Sequence, residues 1–309
     1  MRNIDPARFS PYEQAFRPDV RIGDHAYSLC GGPCAGMFVC EGPEMLRDLI
    51  RICIAEGIPY RVTGGLSNLL VSDEGFDGII LMNRKGRISH SGTDDGSVLL
   101  TASSGVSAAA VVRYCVENEL SGFEWACGLP GTIGGAVYGN AGAFGTETAD
   151  IFIRGNAVNA AGETVCLSCA EMGFAYRNSR IKREQDGTVL LDACFRLGKG
   201  SREEILARGE ANRAKRQAGQ PVGEPSLGSV FKNPEGFAAG KLIQDAGLKG
   251  VSVGKATVSM KHANFITTEK GVRSADYRAL IRLVRKTVME KTGILLEPEI
   301  EFLGFEDRL

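Results

Sequence analysis

The sequence predicts an α+β protein with more than one domain. Helical patterns and short apolar runs alternate irregularly, and several of the predicted strands come in hairpin-like pairs, which disfavours one doubly wound sheet. A chain of 309 residues also exceeds the length at which a single hydrophobic core usually stops growing. We therefore expect several α+β units in place of one large sheet.

Four helices are predicted from a start signal followed by an apolar period of 3.6 residues. The first begins at Pro43 and ends before Gly57, and the third begins at Ser201, which forms a capping-box pattern with Glu204. The last ends before Gly293, a residue type that commonly terminates helices. The predicted ranges are 43–56, 106–119, 201–217 and 274–291.

Five strands are predicted from short apolar runs bounded by turn residues. They cover residues 78–82, 98–102, 189–197, 263–267 and 296–303. Between the third helix and the fourth strand lies AGQPVGEP, residues 218–225, which is the best linker candidate in the chain. This segment predicts a boundary between a larger N-terminal portion and a C-terminal domain of about 85 residues.

Composition restricts the partners and the compartment. A formal charge of −1 provides no long-range field to attract nucleic acid or an anionic membrane. The N-terminal sequence has no apolar signal-peptide region, and nowhere do eighteen apolar residues run together. We therefore expect a cytoplasmic protein that has neither nucleic acid nor a membrane as a partner.

The cysteines predict neither a disulfide scaffold nor a metal site. There are nine, an odd number scattered along the chain, which favours reduced thiols. Cys166 and Cys169 form one C-x-x-C pair, but no second Cys or His pair stands at zinc spacing. The whole chain contains only three histidines.

Two glycine-containing segments are candidates for binding a phosphate. They are RVTGGLSNLLVSDEGFDGIIL at 61–81 and GLPGTIGGAVYGNAGAFG at 128–145. Glycine lets backbone amides approach an anion without a Cβ in the way, although turns and close packing explain such loops equally well. Neither segment has the G-x-G-x-x-G pattern of a Rossmann turn. The apolar residues in the second segment argue against a flexible linker.

The order of residues in these segments resembles the UDP-N-acetylenolpyruvoylglucosamine reductase family. The segment 128–145 is similar to the flavin loop of that family, and further blocks follow the family's order over about residues 31–304. Because the chain passes directly from Tyr176 to the strand predicted at 189, it resembles the shorter type, which lacks an inserted tyrosine-bearing loop. The further blocks are SNLLVSDEGFDG at 67–78, YRNS at 176–179, GSVFKNP at 228–234, AGKLIQDAGLKG at 239–250, KHANFI at 261–266 and LEPEI at 296–300.

This resemblance implies a fold and an activity. The fold is an FAD-binding domain of the vanillyl-alcohol-oxidase type, with two α+β subdomains expected at residues 1–75 and 76–217. A C-terminal α+β substrate-binding domain follows at 218–309. The implied reaction uses FAD and NADPH to reduce the enolpyruvyl group of UDP-N-acetylglucosamine enolpyruvate to UDP-N-acetylmuramate, in peptidoglycan precursor synthesis. We expect a monomer or weak dimer.

The resemblance also assigns three catalytic positions. Arg177 matches the residue beside the substrate carboxylate, where a fixed cation stabilises the negative charge left by hydride addition. Ser229 matches the proton donor. Glu299 matches the catalytic glutamate; period alone does not distinguish it from Glu297 and Glu301, which alternate on the same predicted strand. Without the resemblance, each residue has a simpler explanation. Arg177 would form a surface salt bridge, Ser229 would be a turn residue, and the glutamates would form a solvated acidic face.

The other site positions follow from the same motifs. The cofactor is expected to contact Gly64, Gly65, Ser67, Asn68, Leu69, Pro130, Gly131, Thr132, Gly134, Gly135, Val137 and Gly142. The substrate is expected to contact Phe144, Lys232, Asn233 and His262.

Two departures from the family pattern lie in the N-terminal subdomain. Leu66 stands where a second glycine is usual, and its side chain could block the approach of a pyrophosphate or force the loop onto another path. The segment 26–29, AYSL, replaces a usual Thr-Thr-Phe-Arg run. Phe144 stands where tyrosine is common. With the three catalytic positions present, we expect altered or weakened flavin contacts and retained catalysis.

Two alternatives to the reductase stay open on the sequence. One is a flavin oxidoreductase of the same fold that acts on another substrate, although intact GSVFKNP and YRNS disfavour it. The other is a non-enzymatic binding protein that has lost its flavin, which Leu66 and the altered segment 26–29 would explain. The colour of the purified protein and the substrate dependence of its NADPH oxidation distinguish the three.

Overall fold

The computed structural model describes residues 1–306. Within them the α-helices are α1 Pro43–Ala55, α2 Ala108–Glu117, α3 Ile133–Tyr138, α4 Thr148–Ile151, α5 Cys169–Met172, α6 Arg180–Glu184, α7 Arg202–Gly219, α8 Ala239–Asp245 and α9 Ser274–Thr292. Short 3-10 helices lie at Pro6–Phe9, Glu13–Ala15, Ile22–His25 and Glu124–Ala126. The last three residues of the predicted C-terminal domain lie outside the described part.

The strands form several small sheets. They are β1 Arg17–Arg21, β2 Pro33–Cys40, β3 Tyr60–Thr63, β4 Leu69–Val71, β5 Phe76–Asn83, β6 Ile88–Gly92, β7 Val98–Ser103, β8 Leu120–Ser121, β9 Gly142–Ala143, β10 Thr146–Glu147, β11 Phe152–Val158, β12 Thr164–Ser168, β13 Val189–Leu190, β14 Asp192–Lys199, β15 Ser226–Ser229, β16 Ser252–Val253, β17 Ala256–Val258, β18 Phe265–Thr268 and β19 Glu301–Leu303. This mixture confirms the predicted α+β class.

The four predicted helices are confirmed as α1, α2, α7 and α9, with their ends moved by at most two residues. The Ser201 hydroxyl accepts a hydrogen bond from the Glu204 amide at 3.3 Å, as the capping pattern predicts. Gly293 follows α9 in the left-handed conformation, with φ +74°. Local capping signals therefore located these helices correctly.

The strand predictions are only partly correct. The predicted strand 296–303 is wrong over its first five residues, since the observed strand is Glu301–Leu303. Pro298 lacks the amide that a continuous ladder needs. Instead, the Glu299 amide donates to Val230 O at 2.8 Å and the Lys232 amide donates to Glu297 O at 2.9 Å. The predicted strand 189–197 is interrupted between β13 and β14, and the others are confirmed as β5, β7 and β18.

The first sheet has the order β1-β2-β5-β3, in which β2, β5 and β3 are parallel and β1 is antiparallel to β2. Helix α1 packs on one face through Leu46, Leu49 and Ile50, which are fully buried. Because β5 belongs to this sheet, the sheet continues past residue 75. We propose that the first subdomain extends to residue 83, beyond the boundary expected from the sequence.

The second sheet has seven strands and follows the path β12-β11-β14-β7-β6, with β13 beside β11 and β8 beside β14. Its core packs against α2 and α3 and contains Trp125, Val137 and Phe195, each at most 4% exposed. Helix α3 carries the middle of the long glycine-rich segment. The core therefore anchors that segment, as its apolar residues predicted.

The third sheet has the order β15-β18-β17-β16 and packs against α8 and α9. The buried face of α9 includes Tyr277, Leu280 and Val284. A separate parallel pair, β19 with β4, joins the C-terminal part of the chain to the first glycine-containing segment. This pair brings residues that are more than 200 positions apart to one place.

None of the helices within residues 1–306 is long and apolar enough to cross a membrane. All nine cysteines are free thiols. The described residues contain no group of three or more His, Cys, Asp or Glu side chains arranged to hold a metal ion.

Candidate active site

Two of the three predicted catalytic side chains form an ion pair. Arg177 Nε lies 3.1 Å from Glu299 Oε1, and both side chains are about one-fifth exposed, at 21% and 22%. Arg177 comes from the segment after the second sheet's strands β11 and β12, whereas Glu299 comes from the segment before β19. The pair therefore forms where the part of the chain that contains the second sheet meets the C-terminal part.

The long glycine-rich segment fixes the Arg177 guanidinium. Arg177 Nη2 donates to Gly142 O at 2.7 Å and Nη1 donates to Asn140 O at 3.5 Å. Arg177 has φ +52°, in the left-handed region that costs a non-glycine residue free energy. The guanidinium is thus oriented by backbone carbonyls before any ligand arrives, and its backbone strain is consistent with a functional position.

Glu299 is held through its backbone by two different domains. Its amide donates to Val230 O, and its carbonyl accepts a hydrogen bond from Asn68 Nδ2 at 3.2 Å. Burial raises the pKa of the Glu299 carboxyl, although the cations Arg177, Lys182 and Lys232 act in the opposite direction. The carboxyl is therefore easier to protonate than an exposed glutamate.

Ser229 lies at the same crossing of segments. It is half-buried at the end of β15, where it pairs with Phe265, and it directly precedes Val230. Since the Val230 carbonyl accepts the Glu299 amide, the backbones of Ser229 and Glu299 are neighbours. The structure thus brings the three predicted catalytic residues together.

The two glycine-containing segments face each other. A Cβ on Gly64 would overlap the side chain of Thr132, and a Cβ on Gly65 would lie 3.6 Å from Gly131 Cα. A Cβ on Gly131 would in turn lie 3.3 Å from Ser67 Oγ. The predicted cofactor residues of the two segments therefore form one junction, and the close approach explains the need for glycine at 64.

The amides at this junction differ in availability. The amides of residues 65–67 donate to no acceptor within residues 1–306, so they are free to bind an anion. By contrast, the Gly134 amide donates to Ser104 O at 2.8 Å, and the Gly135 amide donates to Thr132 Oγ1 at 3.4 Å. In the second segment the amides of Gly131 and Thr132 likewise donate to no acceptor within residues 1–306, so both segments offer free amides at the junction.

Buried polar atoms beside the junction have no partner. Thr63 Oγ1 and Asn83 Oδ1 are buried without a hydrogen bond in the described chain, and Asn83 Nδ2 donates to Ser104 Oγ at 2.9 Å. Buried polar groups are normally satisfied, so such atoms point to a bound polar group. Together with the free amides and the glycine approach, they fit a flavin nucleotide.

The remaining predicted cofactor residues differ in their distance from the junction. The Val137 side chain is fully buried in the core of the second sheet, so it has no exposed surface to offer a ligand. Gly142 uses its carbonyl to hold Arg177. Pro130 lies beside Gly131 at the junction, and Asn68 and Leu69 lead from it into β4.

Leu66 does not obstruct the junction. Its side chain is 3% exposed and packs in a cluster with Ala26, Met37 and Ile80 on the far face of the first sheet. The backbone reaches this arrangement with φ +53°. Of the two outcomes considered from the sequence, this placement disfavours blocking, and the effect of Leu66 on FAD binding stays a prediction. The side chain lies in the core, in the same cluster as Ala26.

The altered segment 26–29 contacts the C-terminal domain. The Ser28 carbonyl accepts a hydrogen bond from Thr268 Oγ1 at 2.7 Å, and Leu29 packs against the core around α9. The exposed ring of Tyr27 lies 3.5 Å from the position of a Cβ on Gly65. The segment thus contributes both to the contact with the C-terminal part of the chain and to the surroundings of the junction.

The predicted substrate residues Lys232 and Asn233 lie next to the catalytic group. Lys232 Nζ lies 2.6 Å from Glu297 Oε1, and Lys232 is the more buried partner, 16% against 69% exposed. Asn233 accepts the Ala239 amide through Oδ1 at 3.0 Å, and its own amide donates to Tyr176 OH at 3.5 Å. Both residues are thus held in place by protein contacts.

His262 and Phe144 lie further out. His262 Nδ1 accepts the Asn264 amide at 3.2 Å, and the Asn264 side chain bonds both backbone groups of Phe231. Burial lowers the pKa of His262. Phe144 is 45% exposed in the turn between β9 and β10, with Arg216 Cζ 5.6 Å from its ring centre. His262 is therefore linked to the Phe231 backbone through Asn264, and its contact with the substrate stays a prediction.

Sequence reasoning missed a second ion pair beside the first. Lys182 Nζ lies 2.8 Å from Glu301 Oε1, with side-chain exposures of 12% and 19%. The alternation of Glu297, Glu299 and Glu301 was a usable signal for it. Each of the three carboxylates has a different cationic partner: Glu297 pairs with Lys232, Glu299 with Arg177, and Glu301 with Lys182.

The comparisons with known proteins agree with this geometry. Residues 34–168 match a family model described as an FAD binding domain. Residues 220–303 match a model described as the C-terminal domain of UDP-N-acetylenolpyruvoylglucosamine reductase. The fold and these matches thus define a flavoprotein oxidoreductase with a separate C-terminal domain.

Relatives over nearly the whole length identify the family. The chain is 44% identical to a UDP-N-acetylenolpyruvoylglucosamine reductase of Caldicellulosiruptor bescii, covering 94% of this chain and 91% of the relative. Identity to the same-named protein of Caldicellulosiruptor saccharolyticus is 40%, covering 94% and 92%. The crystal structure of the Thermus caldophilus reductase aligns with a TM-score of 0.77 at 31% identity, covering 93% of this chain and 99% of that one. The chain belongs to the UDP-N-acetylenolpyruvoylglucosamine reductase family.

Proposed function

We propose that this protein reduces the enolpyruvyl group of UDP-N-acetylglucosamine enolpyruvate to the lactyl ether of UDP-N-acetylmuramate, with NADPH as reductant. The observation that carries this proposal is the Arg177–Glu299 pair beside Ser229, at the meeting point of the flavin and C-terminal domains. A fixed cation, a protonatable carboxyl and a hydroxyl are the groups that reduction of a conjugated enol ether requires.

The junction of the two glycine-containing segments is the proposed FAD site. The free amides of residues 65–67 would hold the pyrophosphate, and Thr63 and Asn83 would bond polar groups of the cofactor. When bound, FAD supplies hydride transfer from NADPH to the terminal carbon of the enolpyruvyl group. Gly64, Gly65 and Gly131 keep side chains out of the space between the segments.

Arg177 and Glu299 are the proposed carboxylate-binding groups. Hydride addition leaves negative charge delocalised into the substrate carboxylate, which the planar guanidinium matches with two parallel donors. Because Gly142 O and Asn140 O orient Arg177 in advance, little reorganisation is needed when the charge develops. The raised pKa of Glu299 lets a protonated carboxyl donate a hydrogen bond to the same group.

Ser229 is the proposed proton donor to the carbon next to the carboxylate. Its hydroxyl proton would pass to that carbon, completing the conversion of the carbon–carbon double bond to a single bond. A serine hydroxyl is a weak acid, so a nearby cation must stabilise the alkoxide. Lys232, three residues after Ser229, carries such a charge and is paired with the exposed Glu297.

Spectroscopy and turnover test this function together. Freshly purified protein should show the flavin absorbance bands and should oxidise NADPH only when UDP-N-acetylglucosamine enolpyruvate is present. Yellow protein that oxidises NADPH without regard to that substrate would favour an oxidoreductase with another substrate. Colourless protein that takes up no FAD on titration would favour a non-enzymatic binding protein.

We further propose that the protein acts in the cytoplasm as a monomer or weak dimer. The UDP-linked substrate is a soluble nucleotide sugar, and the near-neutral net charge gives no reason to expect a nucleic-acid or membrane partner. Sedimentation velocity over a hundredfold range of protein concentration tests the oligomeric state. A concentration-independent dimer would contradict it.

A further inference from the structure

Two ion pairs lie side by side between the same two segments. Arg177 pairs with Glu299, and Lys182 pairs with Glu301. Lys182 lies five residues after Arg177 in the sequence, and Glu301 lies two residues after Glu299. The second pair is the more buried, yet none of the assigned catalytic steps uses it. Burying two charges carries a desolvation penalty that a stable fold does not require, so a specific role is the more economical explanation.

Lys182 is attached to the glycine-rich segment as well as to Glu301. The Ser179 hydroxyl donates to Tyr138 O at 2.7 Å and accepts the Lys182 amide at 3.4 Å, which fixes the start of α6. Lys182 Nζ also lies 5.9 Å from the centre of the Tyr138 ring. The ammonium therefore has little freedom to move toward other acceptors.

Glu301 is held from the opposite side by the first glycine-containing segment. Its amide donates to Asn68 O at 2.8 Å, while the Asn68 side chain donates to the Glu299 carbonyl. Residues 299–301 are thus clamped between Asn68 and Lys182. Any displacement of Glu301 would move Glu299 with it, since only one residue separates them.

We propose that Lys182 is a positioning residue of the active site. Because Lys182 is bound by Glu301, it fixes the segment that carries Glu299, and the Glu299 carboxyl stays available to pair with Arg177. The inference rests on the proposed function in one respect, which is that Glu299 is a catalytic group whose position matters. A cation this close to Glu299 must be engaged elsewhere, or it would compete with Arg177 for that carboxyl.

The charges around Glu299 determine what substitutions should do. Removing the Lys182 ammonium takes away a cation and should raise the pKa of Glu299. Removing the Glu301 charge takes away a neighbouring anion and frees Lys182 to approach, so the pKa of Glu299 should fall. The charged groups that act on Glu299 are Arg177, Lys182 and Lys232. Lys232 is itself paired with Glu297 and Lys182 with Glu301, and Glu301 and Arg61 both act on Tyr138, beside which Lys182 lies.

Carboxyl titration tests the inference without turnover. Holoenzyme with glutamate labelled at the side-chain carboxyl carbon is titrated by NMR, and Glu299→Gln identifies the Glu299 signal. We expect Lys182→Met to move the titration midpoint up and Glu301→Gln to move it down, each by about one pH unit. Lys182→Arg, which keeps the charge, should leave it near the wild-type value.

A matched control removes a lysine from an exposed pair. Lys286 on α9 lies 3.8 Å from Glu290 and is 74% exposed, so Lys286→Met should leave the Glu299 midpoint unchanged. Circular dichroism identifies variants that fail to fold. If Lys182→Met is unfolded, Lys182→Gln and the double variant Lys182→Met/Glu301→Gln replace it. The double variant should titrate between the two single variants.

The outcomes separate this inference from the proposed function. Shifts in the same direction, or no shift in either folded variant, would overturn the role of Lys182 even in an active enzyme. Opposite shifts in a protein that does not reduce the enolpyruvyl substrate would support Lys182 and refute the proposed function. In active enzyme, the pH profile of substrate reduction should move in the same two directions.

Discussion

Gly64 and Thr132 approach so closely that a Cβ on Gly64 would overlap the threonine side chain. Gly64 does not have a positive φ, so space alone requires glycine there. We expect Gly64→Ala to push the two segments apart and weaken FAD binding by at least tenfold. Fluorescence titration of apoprotein with FAD measures the change.

A second substitution checks the cause. Thr132→Ala shortens the side chain that Gly64→Ala would meet, so the double variant should bind FAD more tightly than Gly64→Ala alone, despite losing the hydroxyl that caps α3. Gly92→Ala is the matched control, since a Cβ there meets nothing within 4 Å. Unchanged FAD affinity in Gly64→Ala would show that the junction is not the cofactor site.

We expect Leu66 to contribute to the free energy of unfolding and not to FAD affinity. Leu66→Gly removes a buried side chain, a loss of about 3 kcal/mol, and relieves about 1 kcal/mol of strain at its positive φ. We expect the free energy of unfolding of the apoprotein to fall by about 2 kcal/mol in urea. FAD affinity should stay within about twofold of wild type.

Leu46→Ala provides the comparison, because Leu46 is fully buried on the other face of the same sheet, away from the junction. It should lower stability by about 3 kcal/mol with the same FAD affinity. Tenfold tighter FAD binding in Leu66→Gly would mean that the leucine obstructs the cofactor after all.

The structure brings Arg177 and Glu299 into contact and places Ser229 beside them, whereas their catalytic roles stay predictions. YRNS and LEPEI are 120 residues apart, and nothing local says that Arg177 meets Glu299. Helix ends were predictable because capping is a local interaction. The strand predicted across Pro298 was wrong because a proline removes a ladder donor, which the apolar pattern alone does not register.

Leu66 shows the converse limit. Its identity signalled a departure from the family pattern, but the burial of its side chain depends on a cluster with Met37 and Ile80, which no property of residues 64–68 predicts. Lys182 was overlooked for a similar reason: lysine is usually solvated, and its burial depends on Glu301, more than 100 residues away. Long-range partners, and not local propensity, set these positions.

Thiol reactivity tests the fold independently of activity. Burial raises the pKa values of Cys30, Cys40, Cys53 and Cys115 to about 12, so at pH 8 these thiols should be both protonated and inaccessible. The exposed Cys166 should react first with an aromatic disulfide reagent, and Cys166→Ser should abolish the fastest phase. All nine thiols should react after denaturation. Rapid reaction of the four buried thiols in native protein would contradict the described cores.

Separate measurement of the two half-reactions of Ser229→Ala tests the central claim most directly. Stopped-flow absorbance follows flavin reduction by NADPH, and then flavin reoxidation by UDP-N-acetylglucosamine enolpyruvate. The account predicts reduction within about twofold of wild type and reoxidation slowed by at least a hundredfold, because only the second step needs the Ser229 proton. Ser229→Cys, which retains a donor, should recover part of the reoxidation rate. Equal losses in both half-reactions, or normal reoxidation in Ser229→Ala, would contradict Ser229 as the proton donor.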